Sequence, residues 1–79
     1  MLSTQEINDL KERLSSSVGP FYRGLAKVTG LSRTTLSSYF NHRPISSLNQ
    51  KIIIDGSLVL LKRSEERSKK LLQQLQDTL

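Results

Sequence analysis

Apolar residues recur along this chain at helical spacing, and nowhere does a stretch alternate with period two for long enough to make a strand. Ile7, Leu10 and Leu14 are separated by three and four residues and share one helix face. Ser3-Thr4-Gln5-Glu6 before them has the form of a capping box, in which a serine hydroxyl and a glutamate carboxylate each satisfy the other's backbone amide. Ser15-Ser16-Ser17 and Gly19-Pro20 stop this helix, and Pro20 fits the first turn of the next, where a missing amide costs little. Leu25, Ala26 and Val28 predict a second helix over Tyr22–Thr29, closed by Gly30, the residue best suited to a left-handed helix end. Ser32 then caps a third helix over Arg33–Phe40, whose apolar face is Leu36, Tyr39 and Phe40. Asn41-His42-Arg43-Pro44 reads as a turn, because Pro44 forbids simple continuation. Ser46 or Ser47 caps a fourth helix carrying Leu48, Ile52, Ile53 and Ile54, and its pattern runs on to Leu79 past Asp55-Gly56. One glycine costs a helix only about 1 kcal/mol, so a continuous or gently bent helix is expected there. The expected fold class is all-α: a bundle of about four helices with a long C-terminal helix, divided into a domain at 1–54 and a helical segment at 55–79.

Composition narrows what such a bundle does. A chain of 79 residues has a marginal core, so oligomerisation or a bound partner is expected. There is no cysteine and one histidine, His42, which excludes a disulfide framework and a structural zinc site; no metal or other cofactor is expected. No apolar run approaches the roughly 20 residues of a membrane span, and no apolar segment of signal-peptide type follows the N-terminus. The expectation is a soluble cytoplasmic protein with no membrane partner and no evident small-molecule substrate. Charge is unevenly placed. Between residues 13 and 54 there is no acid, while Arg13, Arg23, Lys27, Arg33, Arg43 and Lys51 are basic. An unopposed positive field of this kind suits a polyanion, the plain alternative being the solvated surface of a small basic protein.

The segment at 21–40 combines these features. Two short helices crossing steeply need a small residue at their closest approach, supplied by Ala26, and a positive φ in the turn, supplied by Gly30. Leu31 plugs the corner, and Leu36 with Tyr39 packs the second helix back. Arg33, Thr34, Ser37 and Ser38 are left facing outward, a short polar face without acids that can enter a major groove about 12 Å wide. The spacing of Leu25, Ala26, Gly30, Leu31, Leu36 and Tyr39 resembles the helix-turn-helix of the lambda-repressor-like and lac-repressor-like superfamily of bacterial and phage regulators. The run from Leu31 to Ser37, followed by Asn41, resembles its recognition helix. The resemblance covers about a third of the chain. It implies a DNA-binding domain at 1–54 in which Arg33, Thr34, Ser37 and Ser38 meet bases, while Tyr22, Ser32, Thr35, Asn41, His42 and Arg43 meet phosphates. Arg23, in the acid-free stretch, joins the phosphate set. The chain has no ligand-binding domain or hinge helix of the lac-repressor kind. Arg33 may be set against a simple surface arginine, and the serines against ordinary solvent-facing residues; a neutral loop histidine is the plainer reading of His42.

The C-terminal segment carries a second pattern. Ile54, Leu58, Leu61, Leu72, Leu75 and Leu79 fall on one heptad seam, with Glu65 and Ser68 at its intervening positions. Leu58, Leu61, Leu71, Leu72, Leu75 and Leu79 are the candidate dimerisation residues, and a homodimer on double-stranded DNA is the expected assembly. The alternative is a frayed tail. The leading functional expectation is a sequence-specific transcriptional regulator, a repressor; the competing one is an antitoxin-like adaptor that engages another protein through its C-terminal helix. An enzyme is not expected, because no cysteine, catalytic histidine environment or paired acids stand out.

Overall fold

The computed structural model describes residues 2–78 and consists of α1 (Thr4–Ser17), α2 (Tyr22–Thr29), α3 (Arg33–Phe40) and α4 (Ser47–Thr78). Local chemistry sets the boundaries. At α1 the Ser3 hydroxyl accepts from the Glu6 amide (3.2 Å) while the Glu6 carboxylate accepts from the Ser3 amide (3.0 Å), a complete capping box. Those bonds, the one from the Ser3 amide first, hold the Glu6 carboxyl below its usual range. The Ser32 hydroxyl caps α3 by accepting from the Thr35 amide (3.2 Å), and Ser46 caps α4 through the Asn49 amide (3.1 Å).

The helix α2 spans the expected Tyr22–Thr29, but Pro20 does not sit in its first turn. Pro20 lies outside the helix, and Phe21 is the N-terminal cap without any side-chain cap bond. The cause is packing: Phe21 is drawn into the core, and its carbonyl takes the first helical bond, from the Leu25 amide (2.8 Å).

Every helix contributes to one core, through Leu14 of α1, Leu25 of α2, Leu36 and Phe40 of α3, and Ile53 and Leu60 of α4. Full burial of a leucine or phenylalanine side chain stabilises by about 1.5–3 kcal/mol, so this small set dominates stability. Phe21, Tyr22, Tyr39 and Phe40 form an aromatic cluster that joins α2 to α3, with Phe21 stacked on Tyr22 at 4.8 Å and edge-on to Phe40 at 5.3 Å.

The helix α4 runs unbroken through Asp55-Gly56. Gly56 is buried where α4 crosses α2: a Cβ placed there would lie 2.6 Å from Thr29 Cγ2 and 3.2 Å from Leu25 Cδ1. The glycine is therefore a point of contact between helices rather than a hinge. Gly24 faces Leu60 one turn further on, so α2 and α4 run in opposite senses. At the far end of the bundle the Ser64 hydroxyl donates to the Ser17 carbonyl (2.7 Å), fastening α4 to the last turn of α1. Gly56, Ser57, Leu60 and Leu61 are all buried, so packing against the bundle continues well past residue 54 and stops at Ser64. Every residue from 65 to 78 is exposed. This projecting segment is about 21 Å long at 1.5 Å per residue, and it gives the molecule its 51 × 25 × 18 Å outline.

One core group is out of balance. The Tyr39 hydroxyl is buried without a hydrogen-bond partner. Burial, and secondarily the charge of Glu6, push its ionisation above the usual value of 10.0. The folded chain thus holds the phenol proton more tightly than the unfolded chain does. Stability from this residue is fully present below pH 10.0 and falls as the pH rises above it. Tyr39→Phe should raise the melting temperature, since an unpartnered buried hydroxyl costs about 1–3 kcal/mol. It should also flatten the alkaline fall in a melting-temperature series. A lower melting temperature at neutral pH would show that the hydroxyl is satisfied in solution.

Candidate nucleic-acid interface

The helices α2 and α3 are joined by residues 30–32. Gly30 sits in the left-handed region at φ 73 and ψ 8, and its amide donates to the Ala26 carbonyl (2.9 Å). Thr29 braces the corner: its hydroxyl donates to the Leu25 carbonyl (2.7 Å) and accepts from the Leu31 amide (3.2 Å). Leu31 is half-buried against the core, as is Ala26.

With Leu36, Tyr39 and Phe40 turned inward, α3 leaves Arg33 and Thr34 exposed, with Ser37 and Ser38 half-buried beside them. The Arg33 guanidinium lies over the Tyr22 ring, 5.6 Å from its centroid. This contact restrains a long side chain at the first position of α3 and stacks it on a residue that is itself fixed against Phe21 and Phe40. A preordered guanidinium loses less rotamer freedom on meeting a planar acceptor. Arg23, the residue after Tyr22 in the first turn of α2, is exposed.

Several other residues expected to meet DNA already have intramolecular work. Ser32 and Thr35 share a hydrogen bond between their hydroxyls (3.0 Å) in addition to the cap bond, and Thr35 is half-buried. The Asn41 side-chain amide donates back to the Ser37 carbonyl (2.9 Å) and hydroxyl (3.1 Å). His42 is hydrogen-bonded through Nε2 to Asn8 Oδ1 of α1 (3.0 Å). Arg43 is exposed.

The way α3 ends was not legible in the sequence. The Arg43 amide donates to the Ser38 carbonyl (2.8 Å) and the His42 amide to the Tyr39 carbonyl (3.1 Å), with His42 in the left-handed region at φ 62. This is a Schellman arrangement with histidine at the position glycine usually occupies. Histidine tolerates that region better than most residues, and Pro44 follows where the helix cannot resume. The turn directs Arg43 away from the bundle, while the bond to Asn8 secures it.

The leucine seam is divided by the structure. Leu61 is 7% exposed and packs into the core of its own chain, which removes it from any surface set. Leu58, Leu71, Leu72 and Leu75 are exposed, the last three at 55%, 60% and 62%. Leu79 lies outside the described residues. Since α4 is one unbroken helix, Leu71 and Leu75 continue the face that carries Ile53, Ser57, Leu60 and Ser64 within the bundle. The core face of α4 thus extends past the helices that cover it.

Among the described residues, no group of three or more His, Cys, Asp or Glu is placed to hold a metal ion, and no helix is long and apolar enough to cross a membrane. What the geometry brings together is Arg33 and Tyr22, with Thr34 and Arg23 exposed next to them in sequence and Arg43 exposed beyond the other end of α3. No family model, curated protein or solved structure matches this chain.

Proposed function

We propose that this chain is a sequence-specific double-stranded DNA-binding regulator, a repressor that acts by occupying its site, with α2 and α3 as a helix-turn-helix. The supporting observation is the corner formed by Arg33 stacked on Tyr22 beside Arg23, at the head of a short helix with an exposed, acid-free face. In this reading Arg33 and Thr34 meet base edges, with Ser37 and Ser38 at the margin. Arg23 and Arg43 meet phosphates, with shorter-range help from Tyr22, Ser32, Thr35, Asn41 and His42. An arginine at the start of a recognition helix pairs with guanine through two hydrogen bonds. Selection of bound sequences from a random duplex pool, repeated with Arg33→Ala, tests the proposal. The substitution should cost about 1–3 kcal/mol on the preferred site and relax the choice at one base position. No enriched sequence for the unaltered chain would end the regulator reading, and identical sequences for both would reassign Arg33 to the backbone.

The same proposal includes a homodimer. The bare leucines at 71 and 75, with Leu72 beside them, continue an apolar face past its covering helices, and a second copy of the same segment supplies an equivalent face. Two recognition helices would then address half-sites of an inverted repeat about 34 Å apart or a multiple of it. Truncation after Ser64 removes only exposed residues among those described, and should abolish both the dimer in sedimentation and tight operator binding. A full-length monomer at micromolar concentration would instead favour a foreign protein on the leucine face, as in an adaptor.

A further inference from the structure

A groove on the side of the bundle, between α2 and α4, is lined by Gly24, Lys27, Val28, Leu60 and Arg63. It shares Arg63 with a second shallow surface along the projecting part of α4, where Glu66, Arg67, Lys69 and Lys70 also lie. Arg63, Arg67 and Lys70 are spaced by four and three residues, so they form one row along the helix. Lys27 is one turn from Arg23 on α2, which joins the row to the corner that carries Tyr22 and Arg33. All of these cations are exposed, and Glu66 is the one carboxylate among the residues that line the two surfaces.

Direction matters as much as charge. Because α4 runs opposite to α2, the row leaves the bundle past the N-terminal end of α2, the end that holds Tyr22 and Arg23. Lys51 and Lys62 lie on another side of the helix, and Arg63 and Lys70 lie away from the leucines, with Arg67 bordering Leu71, so most of the row stays open when the leucine face is covered.

We propose that Lys27, Arg63, Arg67 and Lys70 form a second phosphate-binding surface, which follows the backbone of a duplex beyond the segment read by α3. The inference rests on the DNA reading given above. Guanidinium groups bind phosphate oxygens through paired, charge-assisted hydrogen bonds, and such contacts carry affinity without sequence information. A solvated basic face would serve the chain merely by its net charge, and that difference is measurable.

The test compares two charge-matched full-length variants, Arg63→Gln/Arg67→Gln and Lys51→Gln/Lys62→Gln, binding a labelled duplex of unrelated sequence and about 30 base pairs, three helical turns. Each variant is first checked for unchanged helical circular dichroism. With about 0.9 in log–log salt slope for each phosphate neutralised, the arginine pair should lower the slope by ~1.8, and the lysine pair should leave it near that of the unaltered chain. Equal changes in both variants would overturn the ridge, because a general field ignores position. So would unchanged duplex binding accompanied by lost sedimentation with phosphatidylserine vesicles, which would assign the row to an anionic membrane surface. If the unaltered chain shows no salt-dependent duplex binding, the DNA reading itself fails and the ridge falls with it; binding that is indifferent to both pairs removes the ridge alone.

Discussion

Gly56→Ala should destabilise the fold, although replacing a mid-helix glycine ordinarily gains up to about 1 kcal/mol. The added methyl would meet Thr29 Cγ2 at 2.6 Å and Leu25 Cδ1 at 3.2 Å. Thr29 has little freedom to retreat, since its hydroxyl is bonded both to the Leu25 carbonyl and to the Leu31 amide. Relief therefore requires α2 to move away from α4, which disturbs the turn at Gly30 and the placement of α3. Overpacking of this kind costs about 1–3 kcal/mol, and the clash outweighs the propensity gain. For a domain whose whole stability is roughly 4–12 kcal/mol at this length, that is a large fraction. Asp55→Ala, at the exposed neighbouring position, should be neutral or mildly stabilising. Chemical denaturation of the two variants decides the matter: if Gly56→Ala proves the more stable, the helices do not approach at this glycine.

Phe40→Ala should have the largest effect of any single truncation, about 3–5 kcal/mol. Phe40 is 2% exposed and lies edge-on to Phe21 at 5.3 Å, to Tyr22 at 6.0 Å and to Tyr39 at 5.2 Å. Its removal leaves a cavity at the junction of α2 and α3 and also takes away aromatic pairs worth about 0.5–1.5 kcal/mol each. Tyr22 then loses one of the two rings that hold it, and Arg33 loses its platform. Thermal melting should lose cooperativity or shift far down, and duplex binding should fail together with it. Phe40→Leu, which retains most of the volume, should fall between. A melting temperature within a few degrees of the unaltered chain for Phe40→Ala would mean that the aromatic cluster does not carry the bundle.

Much of the architecture is written locally. The capping box at Ser3 and Glu6, the serine caps at Ser32 and Ser46, and the left-handed Gly30 are interactions among residues a few positions apart, so the bounds of α2 and α3 and the all-α class follow from sequence spacing. The acid-free stretch and the exposure of Arg33 and Thr34 follow as well, because an amphipathic helix with its apolar face known has its polar face known. Long-range contacts decided the rest. Gly56 reads in sequence as a possible break and becomes a close crossing because Thr29, far away along the chain, lies against it. Leu61 belongs to the same heptad series as Leu58 and Leu72, but the bundle covers it and leaves the others bare. Pro20 stands outside the first turn of α2, and Phe21, its ring buried in the core, is the cap instead. The left-handed His42 is bonded to Asn8 in another helix, a contact that no local pattern announces. Periodicity identifies a face, whereas its covering depends on how long the neighbouring helices are and where they cross, which no local pattern encodes.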